Sequence, residues 1–447
     1  MKDPLAKIPA APGRLPVAGH LPRLLRRPLG FLGSLREVGP VVRLDLAGRP
    51  VCVATSPQAA HDIFSTHGRH FDKGRLFDRL RPVLGNGLIT SNGTLHTRQR
   101  KLLQPAFNHA HLVSYTQTMA RRAEAFAHSW HIGDRLELYQ TLLDLTFATA
   151  AEVMFSSESA IDVPIAQAMA HVNAGILPQA LLPAPLARLP LPPNLRYQRA
   201  TRQLHTTIDR TVNRYRTEPT ERDDLLFALT TARDDNGQPM PDAQIRDEVI
   251  TLLLAGSETT ATVLSWTFYH LGRHPQTEQH LTEEINAVLA DRPIEHADIA
   301  RLTHTRRVLQ ETARLHPLAV VMRRSNASTT IDGTAIPQNS EVIISPYAIH
   351  RDPNLYPEPL TFAPERWITQ PAASLPKGAY IPFSEGTRKC IGDHFAWTSM
   401  AVILATVLRH CRLAPDPHHH PRELLAAHPH ADRLPVTVQP PLHQTAG

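Results

Sequence analysis

The feature that most constrains this chain of 447 residues is a short glycine-rich loop around one cysteine, Phe383–Gly392. Cys390 follows the cations Arg388 and Lys389, has a glycine on either side within four residues, and precedes an apolar segment that predicts a helix. Neighbouring cations and a helix N-terminus lower the pKa of a thiol, and glycines let backbone N–H groups approach the sulfur. The loop therefore predicts a thiolate offered to a metal; the alternative is a buried cysteine after a tight turn.

The same loop resembles the haem-binding signature of the cytochrome P450 family, Phe-x-x-Gly-x-Arg-x-Cys-x-Gly. The matching residues are Phe383, Gly386, Arg388, Cys390 and Gly392. The resemblance implies haem b with Cys390 as the axial ligand of its iron, a ligand type that favours O–O bond cleavage. It also implies a mainly α fold with small β-sheets, arranged as a triangular helical prism around the buried haem. Many members carry glycine directly after the phenylalanine of this signature, whereas this chain has Ser384.

Cysteine usage and charge narrow the class of protein. The three cysteines form no CxxC pair, which argues against a disulfide framework and fits a reducing cytosol. Residues 1–35 contain no run of 18 apolar residues, so we expect no membrane anchor and no signal peptide. The net charge of +6 comes without a block of like charges and with few aromatics, which argues against nucleic-acid binding. We expect a cytoplasmic protein.

The order of local patterns predicts one catalytic domain that spans the whole chain. Residues 1–60 contain connectors and strands, residues 61–315 are rich in helical periodicity, and residues 316–447 are mixed and include the cysteine loop. Two apolar runs, 41–46 and 51–54, flank a Gly-Arg-Pro turn, which predicts a β-hairpin.

A helix of about 30 residues, which would span about 45 Å, is predicted from Asp242 as its N-cap. Its centre resembles the oxygen-activation motif of the family, and the small pair Ala255 and Gly256 would let the helix approach a flat cofactor. The hydroxyl of Thr259 can bond to a carbonyl one turn back. The resemblance implies that Glu258 and Thr259 pass protons during dioxygen activation; the alternative is a kinked core helix with an exposed glutamate.

A third motif consists of Glu311 and Arg314, which lie three residues apart and share a helix face. It resembles the Glu-x-x-Arg of the family, whose partner is an arginine that here corresponds to Arg366. We therefore expect Glu311, Arg314 and Arg366 to form a buried structural triad without a catalytic role. The alternative is an exposed ion pair, which contributes little stability.

Four residues are predicted to hold the haem propionates, which need cations when they are buried. His96 and Arg100 lie four residues apart on one helix face and resemble the His-x-x-x-Arg of bacterial members. Arg323 and Arg388 align with the other propionate contacts of the family. The alternative for each cation is a solvated surface position.

The residues predicted to line the substrate pocket are apolar: Leu88, Ile89, Ala255, Leu318, Val320 and Val321. They predict a hydrophobic small-molecule substrate, and the alternative is ordinary core packing. Residues 71–74, 85–88 and 104–107 resemble actinobacterial oxygenases of terpenoid biosynthesis. That resemblance implies a terpene or another secondary metabolite as substrate, with a fatty acid or a macrolide as the alternatives.

The source of electrons is predicted to lie outside the chain, because no convincing GxGxxG fingerprint of a nucleotide domain occurs. We expect NAD(P)H to supply them through a ferredoxin reductase and a ferredoxin, and the protein to be a monomer. Arg98, Lys101 and Lys389 are candidates for a basic docking face. The alternative functions are a haem enzyme that uses peroxide or rearranges its substrate, a non-enzymatic haem-binding protein, and a basic nucleic-acid-binding protein.

Overall fold

Helices are the main secondary structure of the described residues, and the strands form small sheets, as the sequence predicts. The computed structural model describes residues 5–156, 162–181, 186–187, 189–218, 224–317, 320–424 and 429–442. The helices are α1 (Leu21–Arg26), α2 (Pro28–Ser34), α3 (Pro57–His61), α4 (Arg75–Leu84), α5 (Gly93–Leu103), α6 (His109–His128), α7 (Leu138–Phe155), α8 (Asp162–Leu181), α9 (Pro192–Thr217), α10 (Leu225–Thr231), α11 (Asp242–Arg273), α12 (Pro275–Leu289), α13 (Thr303–Leu315), α14 (Pro346–Ile349), α15 (Arg366–Thr369) and α16 (Asp393–His410). The strands are β1 (Val41–Asp45), β2 (Pro50–Ala54), β3 (Phe71–Lys73), β4 (Arg135–Glu137), β5 (Val321–Ser325), β6 (Thr329–Ile331), β7 (Thr334–Ile336), β8 (Glu341–Ile344), β9 (Arg412–Pro415), β10 (Glu423–Leu424), β11 (His430–Ala431) and β12 (Pro435–Gln439).

The chain folds into two compact units that are not continuous in sequence. Unit 1 comprises Met1–Arg75, Arg306–Cys390 and Arg422–Asp432. Unit 2 comprises Leu76–Thr305, Ile391–Pro421 and Arg433–Gly447. The prediction of one catalytic domain over the whole chain stays a prediction.

Unit 1 is built on a five-stranded sheet of order β1-β2-β8-β5-β3. The predicted hairpin is present, with Val41 opposite Ala54, and Gly48 in its turn has a φ of +80°, which glycine adopts without strain. Strand β2 pairs in parallel with β8, and β5 lies antiparallel between β8 and β3. Alternate residues of β5 are buried, so Val321 and Arg323 point to the same inner face. An arginine therefore occupies a strand position that is usually apolar.

Unit 2 is dominated by helix α11, which packs against α7 and α9. It has 32 residues and is about 48 Å long. Its N-cap is Pro241, so the prediction of Asp242 as N-cap is wrong by one residue; Asp242 is the first helical residue, where its carboxylate still faces the positive end of the helix. Ile245, Val249 and Leu253 are fully buried on its apolar side.

Helix α11 also has the length and apolar composition of a membrane span. However, 67% of its most apolar window is buried inside the protein, which is typical of a core helix. Among the described residues, it is the one helix that meets these criteria.

Helix α16 follows the cysteine loop in sequence and lies in unit 2. It begins at Asp393 after Gly392 as N-cap, and its residues from Met400 to Leu408 are buried. It packs along α6. The fold therefore places the cysteine loop directly before a buried helix, as the sequence predicts.

Candidate active site

The glycine-rich loop presents Cys390 as an exposed thiol of unit 1. A single 3-10 turn covers Gly386–Arg388, and the Cys390 N–H donates to the carbonyl of Phe383 over 3.0 Å. Gly386 has a φ of +70°, and a Cβ there would lie 2.0 Å from the carbonyl oxygen of Phe64. The loop therefore requires glycine at position 386, both for its backbone angle and for this close approach.

Backbone strain is stored at Ser384, two residues before Gly386. This residue has a φ of +61°, which costs an L-residue about 1–2 kcal/mol. Its hydroxyl is buried and has no hydrogen-bond partner among the described residues. The serine that departs from the family's usual glycine is thus held in a conformation that favours glycine.

Two predicted propionate ligands, Arg323 and Arg388, lie close together in unit 1. The side chain of Arg323 is buried, with its guanidinium 5.4 Å from the ring centre of Phe64 and its Nη1 donating to the carbonyl of Met322. Burial and the charge of Arg388 lower the pKa of Arg323 from 12.5 to about 9. Arg388 donates to Asp72 over 3.0 Å. Among the described residues no carboxylate forms an ion pair with Arg323, so a buried cation faces another cation and would be stabilised by an incoming anion.

The predicted triad is present in unit 1 as a set of buried ion pairs. Glu311 accepts from Nε and Nη2 of Arg314 over 3.0 and 2.8 Å, and from Nε of Arg366 over 2.9 Å. The side chains of Glu311 and Arg314 are fully buried. The alternative of an exposed surface pair does not describe this geometry.

In unit 2, the centre of α11 carries the predicted proton-transfer pair. Thr259 donates to the carbonyl of Ala255 over 2.7 Å, one turn back, and the helix remains α-helical throughout. A Cβ on Gly256 would meet no described atom closer than the Cβ of Ala150, at 4.0 Å. This is an ordinary van der Waals distance, so packing among the described residues would tolerate an alanine at position 256.

Glu258 is half-buried, so the alternative of an exposed glutamate does not hold. Desolvation raises the pKa of its carboxyl above the ordinary value of 4.5. Tyr139 on α7 lies near enough for the charge of Glu258 to raise the pKa of its phenol, after the larger effect of burial. Sequence reasoning missed Tyr139, which lies more than 100 residues from this motif.

His96 and Arg100 lie on α5 in unit 2, four residues apart and on one face. His96 is buried, and Arg100 is half-buried. Both are therefore only partly accessible to solvent, unlike the solvated surface cations of the alternative interpretation.

The predicted pocket residues divide between the two units. Leu88 and Ile89 belong to the main hydrophobic cluster of unit 2, together with apolar residues of α11. In unit 1, Val321 packs into one core cluster and Val320 packs against another. Leu318 lies outside the described residues. The pocket role of these residues stays a prediction.

The loop before Leu88 is held by two acidic residues of α11 that sequence reasoning missed. Asp247 accepts from the backbone N–H of Asn86, and Glu248 accepts from that of Leu88, both over 2.8 Å. Burial raises the pKa of Glu248 from 4.5 to about 8. A Cβ on Gly87 would lie 2.2 Å from Oγ1 of Thr251 on α11. The backbone of the loop thus lies directly against the helix.

Comparison of the sequence with known protein families identifies the family of the chain. The sequence model of the family described as Cytochrome P450 matches residues 9–437. The chain belongs to the cytochrome P450 family. The resemblance predicted from the cysteine loop is confirmed, and the protein is a cytochrome P450 monooxygenase.

The chain is similar to two Streptomyces proteins over nearly its whole length. Cyclooctatin synthase of Streptomyces melanosporofaciens is 40% identical over 414 residues, which cover 91% of this chain and 90% of the relative. Pentalenene oxygenase of Streptomyces avermitilis is 36% identical over 438 residues, which cover 96% and 97%. A solved cytochrome P450DA haem domain superimposes with a TM-score of 0.88 at 24% identity over 97% of both chains, which shows that the fold is shared.

Family membership implies haem, and the described residues of this cytochrome P450 fit it. Unit 1 offers an exposed thiol at Cys390 and a buried guanidinium at Arg323 whose charge is not compensated by a carboxylate of the described residues. The first feature is explained by a role as iron ligand, and the second, which is costly in the protein alone, by contact with a propionate.

Two of the three predicted docking cations are engaged by acidic side chains. Arg98 donates to Asp234 over 2.7 Å, and Lys101 donates to Asp235 over 2.7 Å, which raises the pKa of Lys101. Their charges are therefore partly compensated within unit 2. Lys389 remains exposed in unit 1.

Proposed function

We propose that this cytochrome P450 monooxygenase inserts one oxygen atom from dioxygen into a terpene or a related hydrophobic secondary metabolite. The observation that carries the substrate class is the similarity to cyclooctatin synthase and pentalenene oxygenase, at 40% and 36% identity over more than 90% of this chain. The apolar side chains of Leu88 and Ile89, next to apolar residues of α11, support a hydrophobic substrate.

We propose that Cys390 binds the haem iron and that the haem propionates are held by the cations predicted from the sequence. Haem, when bound through a cysteine thiolate, supplies an iron that is primed for O–O bond cleavage. Arg323 gains most from a propionate, because it is buried beside Arg388 and its pKa is lowered to about 9. His96 and Arg100 on α5 are assigned to the same role.

Within α11, Glu258 and Thr259 are proposed to hold and move the proton that dioxygen activation consumes. Because desolvation raises the pKa of Glu258, its carboxyl retains a proton at higher pH than an exposed glutamate does. The Thr259 hydroxyl, which donates to Ala255, is one residue away from that carboxyl. Rotation of the hydroxyl proton away from this carbonyl would let Thr259 pass a proton on.

Two variants test these assignments separately. Cys390→Ala is expected to abolish the absorbance band of the reduced carbon monoxide complex that is diagnostic of thiolate ligation; a normal spectrum would remove Cys390 as the ligand. Thr259→Ala is expected to keep haem but to release reducing equivalents as peroxide. Thr262→Ala is the matched control, because Thr262 makes a similar bond to the carbonyl of Glu258 over 2.9 Å. Equal coupling in the two threonine variants would exclude Thr259 from proton transfer.

The substrate class is tested by titration of the spin state of the haem with terpene hydrocarbons and alcohols, fatty acids and macrolides. A response to terpenes and incorporation of label from ¹⁸O₂ into the product are the expected results. Product without label would favour the alternative of a peroxide-using or rearranging haem enzyme. A response confined to fatty acids or macrolides would overturn the terpene assignment.

We further propose that electrons reach the protein from NAD(P)H through a ferredoxin reductase and a ferredoxin, and that it works as a cytoplasmic, monomeric, single-domain enzyme. The sequence supports a separate electron source, because it contains no convincing GxGxxG fingerprint of a nucleotide domain. Turnover with a surrogate ferredoxin and its reductase tests the proposal, and it also separates an enzyme from a non-enzymatic haem-binding protein. No turnover with any such pair, together with turnover driven by peroxide, would refute it.

A further inference from the structure

A cluster of three metal-ligating side chains lies in unit 2, where helices α6 and α16 end. Glu124 and His128 are four residues apart on α6, and His410 is the last residue of α16. Nε2 of His128 lies 3.7 Å from Oε2 of Glu124, and Nε2 of His410 forms a short hydrogen bond to the same oxygen. The candidate ligand atoms of the three side chains all lie within 4.8 Å of one another.

These distances are compatible with a tetrahedral metal. With metal–ligand bonds of about 2.1 Å, two ligands of a tetrahedral site lie about 3.4 Å apart. The most distant pair therefore needs to approach by at most about 1.4 Å, starting from a largest separation of 4.8 Å, whereas Nε2 of His410 and Oε2 of Glu124 give up their hydrogen bond and move apart. The side chains of His128 and His410 are 68% and 25% exposed, so this adjustment takes place at the surface of unit 2.

The carboxylate of Glu124 is oriented by a residue that would not bind the metal. Nη1 of Arg409 lies 3.7 Å from Oε1 of Glu124 and also donates to the backbone carbonyl of Arg292 over 2.9 Å. Oε2 is left facing the two imidazoles. Groups that orient ligands in this way are a regular part of protein metal sites.

We propose that Glu124, His128 and His410 bind a divalent transition-metal ion, and that Zn²⁺ is the ion that fits them best. Two imidazoles and one carboxylate are a ligand set of zinc, with a fourth position left for water. Mg²⁺ and Ca²⁺ prefer six or more oxygen ligands, and this cluster supplies one carboxylate. The exposed side of His128 provides a route for the ion from solvent.

The bound ion would tie together the C-terminal ends of α6 and α16, two helices that pack along each other. An ion that binds the folded protein and not the unfolded chain raises the unfolding temperature in proportion to the logarithm of its concentration. The proposed role is therefore a structural clamp at the far end of the helix that begins next to the cysteine loop. It does not depend on the substrate or on the haem chemistry.

The experiment is titration of the haem-loaded, chelator-treated protein with ZnCl₂ by calorimetry, with the unfolding temperature as the second readout. The background variant carries His418→Ala, His419→Ala and His420→Ala, because this tract near the C-terminus also offers imidazoles. In that background we expect one Zn²⁺ site and a rise in unfolding temperature. His128→Ala is expected to weaken binding by more than about 100-fold, beyond the loss seen when only an orienting residue is removed.

His131→Ala is the matched control. His131 is also an exposed histidine near a carboxylate, with Nδ1 3.6 Å from Asp134, but it does not belong to the cluster of three ligands. It is expected to leave Zn²⁺ affinity unchanged. Glu124→Gln is the second ligand variant, and an unchanged haem spectrum in each variant verifies folding. Equal Zn²⁺ affinity in the background protein and in His128→Ala and Glu124→Gln, or loss of all binding with the 418–420 tract, would overturn the proposal.

Discussion

The buried carboxylate of Glu311 offers a prediction whose size can be worked out from its contacts. Besides the bonds from Arg314 and Arg366, Glu311 accepts from the backbone N–H of Ala363 over 3.1 Å and from the indole N–H of Trp367 over 3.0 Å. Each of its oxygens therefore receives hydrogen bonds from two or more donors. In Glu311→Gln, an NH₂ group replaces one of the two carboxylate oxygens. This NH₂ group is itself a donor, so it cannot accept the hydrogen bonds that the replaced oxygen received.

The expected cost of Glu311→Gln is several kcal/mol. Removing one partner of a buried ion pair costs about 3–5 kcal/mol, because the other charge stays buried. Arg314 keeps the carbonyls of His350 and Pro359 as acceptors, over 2.8 and 2.7 Å. We therefore expect a loss of about 3–4 kcal/mol in the free energy of unfolding, at the lower end of that range.

The assay is guanidinium unfolding of the haem-loaded protein, followed by far-UV circular dichroism and by the haem absorbance. Arg14→Gln is the control, because Arg14 forms its ion pair with Asp45 over 2.8 Å while 59% of its side chain is exposed. That variant should lose less than about 1 kcal/mol. If Glu311→Gln were as stable as the control variant, the reasoning about the buried charge would be refuted.

Three further predictions concern the cysteine loop and the acidic residues of α11. Gly386→Ala should destabilise the protein and its haem binding by about 2–5 kcal/mol, from the backbone angle together with the clash. Gly333→Ala is its control, because Gly333 has a φ of +71° with no atom within 4 Å of the added Cβ and should lose only the angle cost; equal losses would contradict the clash. Ser384→Gly should stabilise by about 1 kcal/mol in chemical denaturation, and Ser384→Ala should not, because only glycine relieves the positive φ. The carboxyl of Glu248, with its pKa raised from 4.5 to about 8, contributes stability below pH 4.5 that is lost as pH rises through about 8. Glu248→Gln should remove this decline between pH 5 and pH 9, and an unchanged profile would contradict the assignment.

The sequence was sufficient to predict candidate site residues that lie close together in short motifs. The cysteine loop, the centre of α11 and the pair Glu311–Arg314 lie within ten residues each, so local spacing was sufficient to find them. The sequence did not predict which distant residues contact these motifs. Asp72, the partner of Arg388, is 316 residues away from it in sequence. Such contacts depend on how strands and helices pack, and no periodicity in the chain encodes them.

The same limit applies to Asp247 and Glu248. The apolar positions of the sequence predict the helix that carries these two residues. Two adjacent acidic residues on such a helix would be expected to face solvent. Both are instead buried, because they accept backbone N–H groups from a loop about 160 residues earlier in the chain. Buried carboxylates of this kind are found only when the packing of the loop is known.

The anchoring of the loop before Leu88 has a consequence for how the enzyme can be diversified. Asp247 and Glu248 accept from the main-chain N–H groups of Asn86 and Leu88, so these two hydrogen bonds require only that neither position is proline. Gly87, in contrast, is constrained by its contact with α11. Laboratory evolution can therefore exchange Leu88 for other apolar residues, as its place in the hydrophobic cluster of unit 2 requires, and the loop stays attached to α11 as long as Gly87 is kept.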